Sequence, residues 1–336
     1  MKLRTLPRRT VRTAVLAMAL VCARAQAAAP PLPATAIAED TYIVANINVP
    51  KLDPTSLEAS AKVVLGANYA MAADGLAKYK AKYTDYVATG AESVTFVMSG
   101  DPTTDSKQPE PIVYVKMKAG ADHAALEKKI RDDQAKEGKP QETEITNDGD
   151  FMVMRKKGIA LPTSGSADRT KAFGDIAAND AAFSVSFIPT DKIRAKMKED
   201  MKGNPNQPPW VQQMGPFLTD SKWMILSAKL GDAPALGVTV QAADDSGAKG
   251  ISDAVTQGGQ QLKAQADQMR QAGPQFAGMA DAFGGLADAL KPTQAGSKVS
   301  LNIDGKVVGP AVSNLLPFMM MGAGGGGPKP GPNPGQ

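Results

Sequence analysis

One pattern runs twice through this chain. A strand, a helix, two strands, a second helix and a strand turning at Asp-Gly occur in residues 41–157 and again in 181–310. A β-α-β-β-α-β order is that of the ferredoxin-like split βαβ fold. The sequence therefore predicts an α+β protein made of two tandem ferredoxin-like units with antiparallel sheets and an internal duplication.

In the first copy, Tyr42 to Val49 alternates, with Ile43, Ala45, Ile47 and Val49 on one face and Asn46 and Asn48 on the other. Pro50 ends it, and Thr55-Ser56-Leu57-Glu58 fits a capping box that opens a long helix. Leu76, Tyr79, Tyr83 and Tyr86 recur at helical spacing along that helix. Strands follow at Ser93 to Met98 and Ile112 to Met117, then a helix capped by Asp122 and bearing Leu126 and Ile130. A hairpin closes the copy around Asn147-Asp148-Gly149-Asp150.

The second copy opens with the strand Phe183-Ser184-Val185-Ser186-Phe187, the cleanest alternation in the chain. A helix capped by Thr190 or Asp191 carries Ile193, Met197 and Met201, and a Pro-rich run from Gly203 to Pro209 breaks it. Trp210, Met214, Phe217 and Leu218 suggest another turn or two. Strands are expected at Trp223 to Leu230 and Leu236 to Ala242, a helix capped by Ser246, and a strand Val299 to Ile303 that turns at Asp304-Gly305 into Val307-Val308. An insertion in this copy carries Phe276, Met279, Phe283, Leu286 and Leu290 at steps of three and four, which predicts an extra amphipathic helix.

Val115 and Val240, Leu126 and Ile251, and Ile130 and Val255 are each 125 positions apart, so one strand and one helix of the two copies match without a gap. The first strands match less well. Pro50 and Pro189 are 139 apart, which sets Ile47 against Ser186 and exchanges the two faces.

The ends of the chain read differently. Residues 1–27 hold six Lys or Arg and no acid, a short apolar stretch from Thr13 to Cys22 and Ala25-Gln26-Ala27, the plan of an export leader. Periplasmic or extracellular localisation is expected. Arg8-Arg9 lacks the apolar residues that follow a twin-arginine pair, and Leu20-Val21 before Cys22 lacks the small residues of a lipid-attachment site. Residues 28–40 read as a Pro/Ala linker, 158–180 as a connector, 181–321 as the second unit with its inserted helix, and 322–336 as a disordered Gly/Pro tail. Without the leader, 32 basic residues of the 38 stand against 34 acidic, and the pI near 8.9 belongs to the whole chain. A nearly neutral chain gives no electrostatic reason to bind nucleic acid. No later stretch is long and apolar enough to predict a transmembrane segment.

Chemistry-bearing constellations are sparse. His123 is the only histidine and Cys22 the only cysteine, so histidine triads and zinc clusters are hard to build. Ser246-Gly247-Ala248-Lys249 matches S-x-x-K, though the companion elements of Ser/Lys acyl enzymes are missing. Acidic clusters at Asp132-Asp133, Asp148 with Asp150, and Asp244-Asp245 lie in predicted caps and turns and lack EF-hand spacing. Adjacent Met319, Met320 and Met321 point in different directions and make a poor copper site. No cofactor is expected.

The polar strand faces, by contrast, are neutral. Asn46, Asn48, Ser184, Ser186, Thr239 and Gln241 form a possible binding face, with Ser300 and Asn302 of the same character. The chain as a whole, through Asn48-Val49-Pro50-Lys51-Leu52, the Asp304-Gly305 hairpin and Leu315-Leu316-Pro317, resembles uncharacterised bacterial exported protein families, a domain of unknown function with duplicated α+β units. That resemblance implies no activity and no site residues. The expectation is an exported, non-catalytic protein that binds a protein, the envelope or a ligand; the alternative is a secreted hydrolase using Ser246 and Lys249 or carboxylates.

Overall fold

The structure, a computed structural model, describes residues 32–33, 35–101, 109–136, 138, 142–177, 181–202, 215 and 221–309. The expected leader, the Pro-rich run with Trp210, Met214, Phe217 and Leu218, the methionines 319–321 and the Gly/Pro tail lie outside the described residues.

Among the described residues, ten strands form one sheet: β1 (Ile43–Asn48), β2 (Ala91–Met98), β3 (Ile112–Met117), β4 (Thr143–Asp148), β5 (Phe151–Lys156), β6 (Phe183–Phe187), β7 (Ser221–Lys229), β8 (Ala235–Ala242), β9 (Thr293–Ala295) and β10 (Lys298–Asp304). Their order is β4-β5-β3-β2-β1-β6-β7-β8-β10-β9, and every neighbouring pair is antiparallel. The helices are α1 (Pro54–Leu65), α2 (Ala70–Ala88), α3 (His123–Lys136), α4 (Ala167–Ala177), α5 (Asp191–Lys202), α6 (Asp245–Ala272) and α7 (Ala277–Ala289).

This is an α+β fold with a large antiparallel sheet, but the strand order is not the ferredoxin-like one expected. In that order a single crossover helix carries the chain back to start a parallel strand. Here two helices, α1 and α2, separate β1 from β2. The chain re-enters beside the end it left, with Ser93 opposite Asn48. What remains of the expected pattern is a split crossover in each half, β3-α3-β4 around β5 and β8-α6-α7-β9 around β10.

The two halves follow the same path outward from the centre. One cross-sheet row in the first half runs Ile47, Val94, Val115, Met152, Asn147; in the second it runs Phe187, Met224, Val240, Val299, Gln294. Anchored on Val115 and Val240, the row matches Ile47 to Phe187, a spacing of 140. The proline spacing of 139 is thus one residue out of step, and the strand faces agree. Irregularities follow the same correspondence. The register shifts lie at Ala91/Ser93 and Ser221/Trp223, and both outer hairpins turn on a left-handed glycine, Gly149 (φ 57°) and Gly296 (φ 58°). Ala45 pairs with Val185, its own equivalent, so a pseudo-twofold axis passes between these two residues.

Local chemistry explains several departures from the expected boundaries. Gly66 at φ 50° divides the long helix into α1 and α2. Asp53 caps α1, accepting from the backbone of Thr55 and Ser56, while Glu58 pairs with Lys62 instead of closing a capping box. The last hairpin turns at Gly296-Ser297, and Val307 and Val308 lie in a helical turn over 305–309.

Each half has its own helix on the same face of the sheet. Leu126 of α3 is buried with Val115, Met117 and Met152; Ile251 of α6 is buried with Val240, Ala242 and Val299. On the opposite face, Ala36 and Ile37 from the expected linker and Phe173 of α4 cover Val44, Val97, Ile112, Tyr114, Val153 and Ile225. The inserted helix α7 packs back along α6, close enough that a Cβ on Gly259 would stand 3.3 Å from the Ala287 carbonyl oxygen.

Candidate functional site

The neutral polar residues singled out from the sequence share the face covered by α4. Asn46 lies between Thr95 and Ser184 across the strands, and the Thr95 hydroxyl donates to the Asn46 side-chain oxygen at 3.0 Å. Asn46, Asn48, Ser184 and Ser186 are all buried, as are the neighbouring Ser93 and Thr95. Thr239 and Gln241, two to three strands away, are half-buried, and Gln241 is held by the Ser297 hydroxyl (2.7 Å) and carbonyl (3.1 Å). The structure therefore gathers Asn46, Asn48, Ser184 and Ser186 into a polar layer inside the molecule, with Thr239 and Gln241 outside it.

Tyr114 borders this layer, and burial pushes its pKa up from 10 to about 12. A raised tyrosine favours the neutral phenol in the folded state. Its contribution is whole below pH 10 and disappears as the pH rises through about 12. Urea midpoints measured across that window are expected to fall more steeply for the native sequence than for Tyr114→Phe.

The other face behaves differently at its centre. Ile43, Ala45 and Ile47 of β1, Phe96 and Met98 of β2, Phe183, Val185 and Phe187 of β6 and Leu226 of β7 all point to the face that carries α3 and α6. They are only half-buried, and Leu226 is 43% exposed. None of them joins the apolar clusters formed by the described residues beneath α3 and α6. The result is a half-buried apolar strip between the clusters beneath α3 and α6, centred on the Ala45/Val185 axis, with the C-terminal end of α2 on the same face, where Tyr86 packs with Val94 and its hydroxyl donates to Asp133 at 3.1 Å. The alternation of Phe183, Val185 and Phe187 was the sequence trace of this surface. Sequence reasoning attached interest to the serines between them because that polar face is neutral rather than charged.

Candidate catalytic groups are dispersed. Ser246 is exposed in the first turn of α6, whose cap is Asp244, and Lys249 is held by Asp253 at 2.7 Å. The His123 Nδ1 stands 2.9 Å from the Asn147 side-chain oxygen, tying α3 to the β4-β5 hairpin. The acidic clusters have local partners: Asp132 with Lys128, Asp133 with the Tyr86 hydroxyl, and Asp150 with Lys116. Asp150 is held below the usual carboxylate range by its hydrogen bond to, and the charge of, Lys116. Among the described residues, no group of three or more His, Cys, Asp or Glu side chains is placed to hold a metal ion. No described helix is long and apolar enough to cross a membrane.

No family model and no curated protein matches the chain. Solved structures of TP0453 in two crystal forms are similar at a TM-score of 0.36. They share 7% and 8% identity, cover 84% and 85% of this chain, and are themselves covered over 98% and 99% of their length.

Proposed function

We propose that this is an exported, non-catalytic binding protein built by duplication of a β-α-β-β-α-β-β unit, and that it binds through the apolar centre of its sheet. The observation that carries this reading is the apolar strip of half-buried Ile43, Ala45, Phe96, Phe183, Val185 and Phe187 with exposed Leu226. Apolar strand faces in the middle of a large sheet are ordinarily covered, and an open one marks an interaction surface. The basic and apolar residues 1–27 support export. The matching rows, register shifts and hairpin glycines support duplication.

The environment-sensitive dye bis-ANS, added to the folded chain from residue 28 onward, tests the surface. Fluorescence enhancement is expected, and Leu226→Lys should remove at least half of it without lowering the melting temperature. Enhancement that survives Leu226→Lys unchanged would place the apolar surface elsewhere. A serine-reactive probe that labels the chain and no longer labels Ser246→Ala would overturn the non-catalytic reading and favour the hydrolase.

A further inference from the structure

We infer that strand β4 is a docking edge, and that its partner is an extended peptide segment with basic ends, added to the sheet as a further strand. This goes beyond the binding reading above, because it uses backbone groups at the rim of the sheet and no residue of the apolar strip.

β4 ends the strand order on one side. The ladder decides which of its backbone groups face outward. The Lys157 amide donates to the Glu142 carbonyl at 2.6 Å, so in this register Glu142, Glu144, Thr146 and Asp148 form the hydrogen-bonded pairs with β5. On the other side of β5 the Met117 amide donates to the Asp150 carbonyl at 2.8 Å, which gives the same alternation. Thr143, Ile145 and Asn147 therefore direct their N–H and C=O groups away from the sheet. Among the described residues, nothing hydrogen-bonds to those groups.

The same three residues are held in place by α3. The Gln134 Nε2 donates to the Thr143 hydroxyl at 3.1 Å, Ile145 packs on the Leu126 cluster, and the Asn147 side-chain oxygen stands 2.9 Å from the His123 Nδ1. A strand fixed in this way is a template that needs no ordering when a partner pairs with it.

The second half shows the same edge blunted. β9, the counterpart of β4, has three residues and follows directly on Pro292. Thr293 and Ala295 pair inward with Ser300 and Lys298, so Gln294 is the one residue of β9 whose backbone faces outward. Short edges and prolines discourage added strands. β4 contains no proline, no lysine and no register shift.

Charge selects the partner. If a second β4 paired antiparallel through all three outward residues, Asp148 would lie opposite Glu142; a slip of two residues sets Glu144 opposite Glu144 or opposite Asp148. Like charges directly opposite one another destabilise a strand pair, which disfavours a second copy. Glu144 is already engaged by Arg155 at 2.9 Å, whereas Glu142 and Asp148 are exposed. A strand with Lys or Arg facing those two residues places opposite charges at both ends of the pairing.

The probe is the acetylated and amidated peptide Lys-Thr-Thr-Val-Thr-Thr-Lys, compared with the same peptide N-methylated at its valine and with one whose lysines are replaced by Glu. Binding of the first should slow amide hydrogen exchange at Thr143, Ile145 and Asn147, and the other two should bind at least about tenfold more weakly. Thr143→Pro removes an outward donor at the first residue of the strand and should weaken the first peptide by a similar factor. A chain carrying both Glu142→Lys and Asp148→Lys should prefer the Glu-ended peptide, and this comparison decides the matter if Thr143→Pro does not fold. Equal binding of the N-methylated peptide would overturn strand addition, equal binding of the Glu-ended peptide would overturn the basic partner, and no binding up to about 1 mM would overturn both. Sedimentation showing a dimer that Thr143→Pro dissociates would make the occupant a second copy. Leu226→Lys should leave peptide binding unchanged, so failure of this edge and failure of the apolar surface are read separately.

Discussion

Leu126→Ala and Ile251→Ala are expected to destabilise the protein by about the same amount, roughly 3–4 kcal/mol each, and to shift one shared unfolding transition. The two leucine-sized side chains occupy corresponding places. Leu126 is 1% exposed among Val115, Met117 and Met152, and Ile251 is 0% exposed among Val240, Ala242 and Val299. Truncation to alanine leaves a cavity in each, and neither helix can collapse onto the sheet without moving its neighbours. A single transition follows from the seam between the halves. Strands β1 and β6 are hydrogen-bonded from Ile43/Phe187 to Ile47/Phe183, and the cluster beneath α4 takes Val97 and Ile112 from one half and Ile188 and Ile225 from the other. Denaturant unfolding followed by tryptophan fluorescence and by far-ultraviolet circular dichroism checks this. Two separated transitions, each responding to only one substitution, would show that the halves unfold independently.

Much of this fold was legible because its elements obey simple periodicities. Alternation identified Ile43 to Val49 and Phe183 to Phe187, and the spacing of Leu126 and Ile130 against Ile251 and Val255 identified corresponding helices. What misled was connection geometry. Whether one helix or two lie between β1 and β2 decides parallel against antiparallel pairing, and that choice hung on Gly66, whose left-handed turn does not interrupt the apolar spacing on either side. The mismatch of the first strands had a similar origin. A proline marks where a strand ends and not which face its residues occupy, so Pro50 and Pro189 gave a spacing one short of the paired register. The candidate surface was harder to read. The sequence separates polar from apolar strand faces but does not say which one is covered. Here residues of the Pro/Ala stretch and the connector cover the face that carries the polar layer, whereas the half-buried apolar centre of the other face joins neither cluster that the described residues form beneath α3 and α6.

That reversal makes Ile37 the position of greatest expected effect. Residues 28–40 read as a linker because Pro and Ala carry no strand or helix period, yet Ala36 and Ile37 are 0% and 1% exposed and lie against Val44, Val97, Tyr114 and Phe173. Hydrogen bonds hold the segment in place. The Ser166 amide donates to the Ile37 carbonyl at 2.8 Å, the Arg169 Nε donates to the Glu39 carbonyl at 2.6 Å, and the same guanidinium reaches the Ile188 carbonyl at 3.4 Å, joining segment, α4 and the end of β6. Burial lowers the Arg169 pKa from its usual value, as expected of a cation held at the edge of an apolar cluster. Ile37→Asp places a carboxylate inside an apolar cluster, a change expected to cost more than about 4 kcal/mol, equivalent to a fall of roughly 10–15 °C in melting temperature. Ile37→Val, which removes one methylene and keeps the shape, is expected to cost about 1 kcal/mol. The pair separates a core residue from a passive tether, because a tether would tolerate both substitutions. Calorimetry showing the aspartate variant within a degree or two of the native chain would remove this segment from the core and leave the face above Val44 and Tyr114 in need of another cover.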